Sequence, residues 1–133
     1  MGGEKSHIIL IIDDDKIFVD LCINLLGDKY IVFPALSGDQ AFETLDKITP
    51  DLILLDIYML GMNGYEIMDL IRQNPKTKYI PVIFVTGSDD IENEYVALKM
   101  GANDYILKPF LPGIFLQRIE NLLRITSPKK KEE

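Results

Sequence analysis

The chain has 133 residues, 47% hydrophobic and 26% charged, with a formal net charge of −7 and an isoelectric point near 4.7. That length suits one domain with one core, and the composition is that of an ordinary globular protein, not a disordered or fibrous one. The acidic balance argues against a general attraction to nucleic acid, which needs excess Lys and Arg, and the longest aliphatic run, Ile8 to Ile12, is too short to cross a bilayer.

The expected organisation is a leader over residues 1–6, a folded domain over 7–125 and a flexible tail or linker start over 126–133, where apolar periodicity is lost. The leader fits the loose myristoylation pattern, but that pattern is short, and an unstructured start is the better reading. Short β-rich runs are expected at Ile8–Ile12, Tyr30–Phe33, Leu52–Leu55, Val82–Val85 and Tyr105–Leu107, each followed by apolar residues at helical spacing. After the first, Phe18, Leu21, Cys22, Leu25 and Leu26 predict a buried helix face, which Gly27 can end in a left-handed conformation. The lone Cys22 reads as a small buried hydrophobe, consistent with a reducing, cytoplasmic setting.

Ser37 with Gln40 has the form of a capping box opening a second helix with Ala41, Phe42, Leu45 and Ile48 inward. Asn63 with Glu66 has the form of one opening a third with Ile67, Leu70 and Ile71 inward. Pro81 suits the first residue of a strand. A fourth helix from about Asp89 carries Ile91, Tyr95 and Leu98 and ends before Gly101; Pro112 suits the first turn of a fifth with Phe115, Ile119, Leu122 and Leu123. Strict strand–helix alternation, with strands apolar throughout, predicts an α/β fold: a parallel sheet with right-handed crossovers and helices on both faces.

Polar residues gather at the carboxyl ends of these strands: Asp13, Asp14 and Asp15 after the first, Asp56 after the third, Thr86 after the fourth and Lys108 after the fifth. In open parallel sheets that edge is where ligands bind. Each residue alone has a bland explanation, as a solvated turn or a surface lysine. Together, carboxylates in one crevice would repel and lose ionisation unless a positive charge joined them. A hard divalent cation is the simplest answer. Mg²⁺ fits, because it uses few carboxylates, keeps waters and recruits phosphoryl oxygens; there is no Cys–His set for zinc. A carboxylate beside Mg²⁺, a lysine and a hydroxyl can attack a phosphoryl group in line.

The segments Ile11-Ile12-Asp13-Asp14-Asp15, Leu54-Leu55-Asp56-Ile57, Gly61-Met62-Asn63-Gly64, Phe84-Val85-Thr86-Gly87 and Gly101 to Phe110 resemble the response-regulator receiver domain. The resemblance covers about Ile8 to Arg124, with separations of 42 (14 to 56), 30 (56 to 86) and 22 (86 to 108) residues. It implies a flavodoxin-like, doubly wound five-stranded sheet of order 2-1-3-4-5 with five helices. It further implies phosphorylation of Asp56, with Asp13, Asp14, Asp56 and the Tyr58 backbone carbonyl as Mg²⁺ ligands, and Asp15 a bystander. Thr86 and Lys108 would meet the phosphoryl group, Tyr105 would turn inward with the switch, and the Lys108–Pro109 bond would be cis.

The implied partners are a sensor histidine kinase or histidine phosphotransfer protein, which would meet the first helix. An output domain or protein would meet the fourth helix, fifth strand and fifth helix, where Ile91, Tyr95, Lys99 and Arg118 lie. Phosphorylation-dependent dimerisation is a further expectation, while direct nucleic-acid and membrane binding are not expected. The chain would be a phosphoacceptor with self-phosphorylation and self-dephosphorylation chemistry, not an enzyme. Two residues depart from the family pattern: Leu60 stands where many relatives have proline, implying a looser loop, and bulky Tyr58 implies a slowly hydrolysed phosphoryl state.

Three rivals remain open on sequence. One is a receiver that only binds partners and is never phosphorylated, which would be suspected if Asp56, Lys108 or the acidic pair were missing, and none is. A haloacid-dehalogenase-like phosphatase would use the Asp-x-Asp of Asp13 and Asp15, but leaves Asp56 and the Thr86–Lys108 pairing unexplained. A flavodoxin-like cofactor binder would place three aspartates where a phosphate must sit.

Overall fold

Alternating apolar runs and amphipathic stretches produce the element order βαβαβαβαβα in a computed structural model, which describes residues 5, 7–87 and 91–126. The strands are β1 (Ile8–Ile12), β2 (Ile31–Ala35), β3 (Leu52–Leu55), β4 (Val82–Thr86) and β5 (Asp104–Leu107). The helices are α1 (Lys16–Leu26), α2 (Gly38–Leu45), α3 (Gly64–Gln73), α4 (Ile91–Lys99) and α5 (Pro112–Thr126). All four strand pairs are parallel and the order is β2-β1-β3-β4-β5, so the doubly wound fold is observed. The proposed leader and tail fall almost wholly outside the described residues, as does the fourth helix's expected start at Asp89.

The pleat sorts the core into two layers, because successive strand side chains point to opposite faces. Leu10, Ile12, Ile53, Leu55, Phe84 and Tyr105 face α2, α3 and α4. Ile9, Ile11, Leu52, Leu54, Ile83 and Ile106 face α1 and α5. The three central strands are buried on both faces, which is why they read as continuous apolar runs.

Several local expectations shift. The second strand runs on through Pro34 to Ala35, whereas the sequence suggested Tyr30–Phe33. Pro34 is tolerated because β2 is an edge strand: Ile31 N–H donates to His7 in the ladder, so the two-residue period turns the Pro34 position outward. On α1 the buried stripe is Val19, Cys22 and Leu26, spaced i, i+3, i+7, and this phase leaves Leu21 47% exposed. Gly27 is right-handed, at φ −67°, and not left-handed, so α1 ends in a continuing helical turn. On α3 Ile67 and Ile71 face inward as expected and Met68 joins them, while Leu70 lies outward; α2 stops at Leu45, leaving Ile48 beyond it. Tyr95 and Leu98 are exposed on α4, where the buried side chain among the described residues is Ala97.

The caps follow their residue chemistry. Asn63 and Glu66 form a reciprocal capping box on α3. Ser37 caps α2, but Gln40 reaches back to the Leu36 N–H in place of Ser37's own. α3 begins hard against the loop after β3: a Cβ on Gly64 would lie 2.1 Å from the Asp56 carbonyl oxygen, so only glycine permits this approach. Gly101, at φ +99°, ends α4 in the left-handed region.

Candidate functional site: an acidic pocket at the carboxyl edge of the sheet

Backbone hydrogen bonds carry the ladder past the strand ends and so fix the site. Asp13 N–H donates to Ala35 at 3.0 Å, Asp56 N–H to Ile12 at 3.0 Å, and Lys108 N–H to Thr86 at 2.9 Å. Asp13 and Asp56 are therefore buried directly beyond β1 and β3, with Asp14 exposed beside them. One carboxylate oxygen from each of the three lies within 4.8 Å of the other two.

Each carboxylate is held. Asp13 Oδ1 accepts from Asp15 N–H at 2.9 Å and Oδ2 from Lys108 Nζ at 2.7 Å. Asp56 Oδ1 accepts from Ile57 N–H at 2.9 Å, and its Oδ2 lies 3.9 Å from Lys108 Nζ. Asp14 Oδ2 accepts from Leu60 N–H at 3.0 Å. Lys108 Nζ also stands 4.1 Å from the centroid of the Phe18 ring, a cation–π contact that steadies the ammonium between the aspartates. The Lys108–Pro109 bond that follows is cis.

Burial, then the neighbouring Asp13 charge, pushes the Asp56 carboxyl up to about 6, while Lys108, the Thr86 hydroxyl and the Ile57 N–H pull it back. The carboxyl stays raised even with Lys108 beside it. Thr86 Oγ1 is buried and has no well-formed hydrogen bond among the described residues, although it is near enough to Asp56 to favour its charged form. Such a group costs about 1–3 kcal/mol unless an acceptor arrives. Three clustered carboxylates and an orphaned hydroxyl fit a hard cation joined by an oxyanion.

Asp13, Asp14, Asp56, Thr86 and Lys108 are brought to one edge. Tyr105 is apart but on the same face as Thr86: it pairs with Phe84, two residues before Thr86, and its side chain is buried, 6% exposed. Tyr58 points outward, 59% exposed, with its hydroxyl accepting from Asn93 Nδ2 at 2.7 Å. On the expected output face, Arg118 pairs with Asp104 at 3.2 Å and Lys99 stands 5.8 Å from the Tyr95 ring; the Ile91 side chain lies outside the described residues. Cys22 is buried and its thiol is pushed up to about 12, chiefly by that burial, which makes it inert.

Sequence reasoning passed over three contributors. Asp15 caps α1 by accepting from Ile17 and Phe18 N–H groups, a role its place before a helical stripe could have signalled. Phe18 was read only as core. The Leu60 amide is a backbone donor, which side-chain chemistry does not reveal.

Comparison with known proteins agrees with this geometry. Residues 9–120 match the family model of the response regulator receiver domain. The chain is 39% identical over 116 residues to a probable cyclic di-GMP phosphodiesterase of Vibrio cholerae, covering 87% of this chain and 26% of that protein. It is 32% identical over 122 residues to the phosphate regulon transcriptional regulatory protein PhoB of Rhizobium meliloti, covering 92% and 54%. A CheY-like response regulator receiver domain protein from Methanospirillum hungatei superposes with a TM-score of 0.85 at 28% identity, covering 94% of this chain and 99% of that one. The chain thus spans about a quarter to about half the length of these curated relatives. No described helix is long and apolar enough to cross a membrane. Sheet order, acidic edge and family match converge: the chain belongs to the response-regulator receiver domains of two-component signal transduction.

Proposed function

We propose that Asp56 accepts a phosphoryl group from the phosphohistidine of a sensor histidine kinase or histidine phosphotransfer protein. The observation that carries this reading is the convergence of a buried carboxylate, a lysine and an orphaned hydroxyl at one point. Asp13, Asp14, Asp56 and the Tyr58 carbonyl would hold Mg²⁺, which when bound neutralises charge on the transferring oxygens. An Asp56 oxygen attacks phosphorus as the phosphorus–nitrogen bond breaks; the histidine keeps the bonding pair and takes up a proton. Lys108 supplies a fixed positive charge and Thr86 an O–H donor to the phosphoryl oxygens.

In this reading Tyr105, on the face of Thr86, adjusts when the hydroxyl is recruited, and the surface of α4, β5 and α5 reports the change as a population shift. An output domain or protein, or a second phosphorylated copy, would read that surface. The chain acts as a phosphoacceptor with intrinsic self-phosphorylation and self-dephosphorylation chemistry, in the cytoplasm, alone or within a longer regulator.

Incubation with Mg²⁺ and a small acyl-phosphate donor tests this. We expect the intact mass to rise by one phosphoryl group, and the gain to vanish in Asp56→Asn or with a chelator. No gain under any condition would support the receiver that only binds partners.

A further inference from the structure

Of the three clustered carboxylates, two are buried and held from within the sheet edge: Asp13 by Asp15 N–H and Lys108, Asp56 by Ile57 N–H. Asp14 is exposed, and its hydrogen-bond partner among the described residues is the Leu60 N–H, 46 residues along the chain. Charge repulsion from Asp13 and Asp56 urges Asp14 out to solvent, where its side chain has free rotamers. The Leu60 side chain is 88% exposed, so what this residue offers the pocket is its amide.

We propose that the Leu60 N–H is a positioning group for the cation site, holding Asp14 turned toward Asp13 and Asp56. The inference rests on the Mg²⁺ reading above. One N–H occupies one of about four lone-pair sites on a carboxylate, leaving the others for a cation. It therefore orients the ligand without competing for it, as groups behind metal ligands commonly do. Proline, the residue the family pattern favours here, has no N–H to give. In this chain a hydrogen bond from Leu60 ties the loop to Asp14 itself.

The Mg²⁺ dissociation constant, measured by calorimetry with no phosphoryl donor present, tests the proposal. Leu60→Pro should weaken binding about tenfold, whereas Leu60→Ala, which keeps the N–H, should match the parent chain. Because proline also restricts Met59, a chain with the Leu60 amide replaced by an ester provides the second measurement: it removes the donor alone and should weaken binding likewise. Unchanged or tighter binding in the ester chain would overturn the proposal, as would equal losses in Leu60→Ala and Leu60→Pro. If the parent chain itself bound no Mg²⁺, the cation reading would fall and this inference with it.

Discussion

Asp56 must be ionised to act as a nucleophile, yet burial and the Asp13 charge hold its carboxyl up at about 6. A folded-state value above the unfolded one of 3.8 favours the protonated form in the fold. This group's contribution to stability is thus present at low pH and lost as pH rises through about 6. Without divalent cations, Asp56→Asn should therefore be more stable than the parent at pH 8, by about 3 kcal/mol, with the difference closing toward pH 4. Denaturant unfolding across that range checks it, and a difference that grew on acidification would contradict it. The aspartates, Thr86 and Lys108 were legible in the sequence because each follows an apolar run, and a strand's end is a fixed place in a parallel sheet. Phe18 does pack against the core and Asp15 does stay out of the carboxylate cluster, but their further roles went unread because they depend on contacts: a cap on two amides and a ring beneath Lys108.

At the scale of elements, Asn93 on α4 joins two tyrosines. Its Nδ2 donates to the Tyr58 hydroxyl, and its Oδ1 accepts from the Tyr65 hydroxyl at 3.1 Å. The loop after β3, the first turns of α3 and α4 are thereby tied together, and the exposed Tyr58 ring is anchored instead of free. An anchored ring two residues past Asp56 should obstruct water, so Tyr58→Asn is expected to shorten the lifetime of the phosphorylated form several-fold. Loss of label followed over time tests this; a variant no faster than the parent would count against it. Element types and order were readable because apolar periodicity changes cleanly from strand to helix. Edges and phases were less so: Pro34 hid the end of β2, since only the edge position makes it harmless. Leu21 and Leu70 read as core because their leucines lie beside true core positions at 19, 22, 68 and 71.

For the whole molecule, the winding of the sheet makes a cluster of residues far apart in sequence: Asp13 and Lys108 are 95 residues apart and 2.7 Å in contact. The same topology separates the two surfaces that the proposed function would use, with the acidic edge at the strand ends and the α4, β5 and α5 surface at one side. In the proposed function Asp56, and not an aspartate beyond β1, takes the phosphoryl group. Borohydride reduces an acyl phosphate to an alcohol, turning a phosphorylated aspartate into homoserine. After treatment with an acyl-phosphate donor, Mg²⁺ and borohydride, peptide mass mapping should find homoserine at position 56. Homoserine at position 13 or 14 would contradict the account and favour a nucleophile after the first strand, as the phosphatase reading requires.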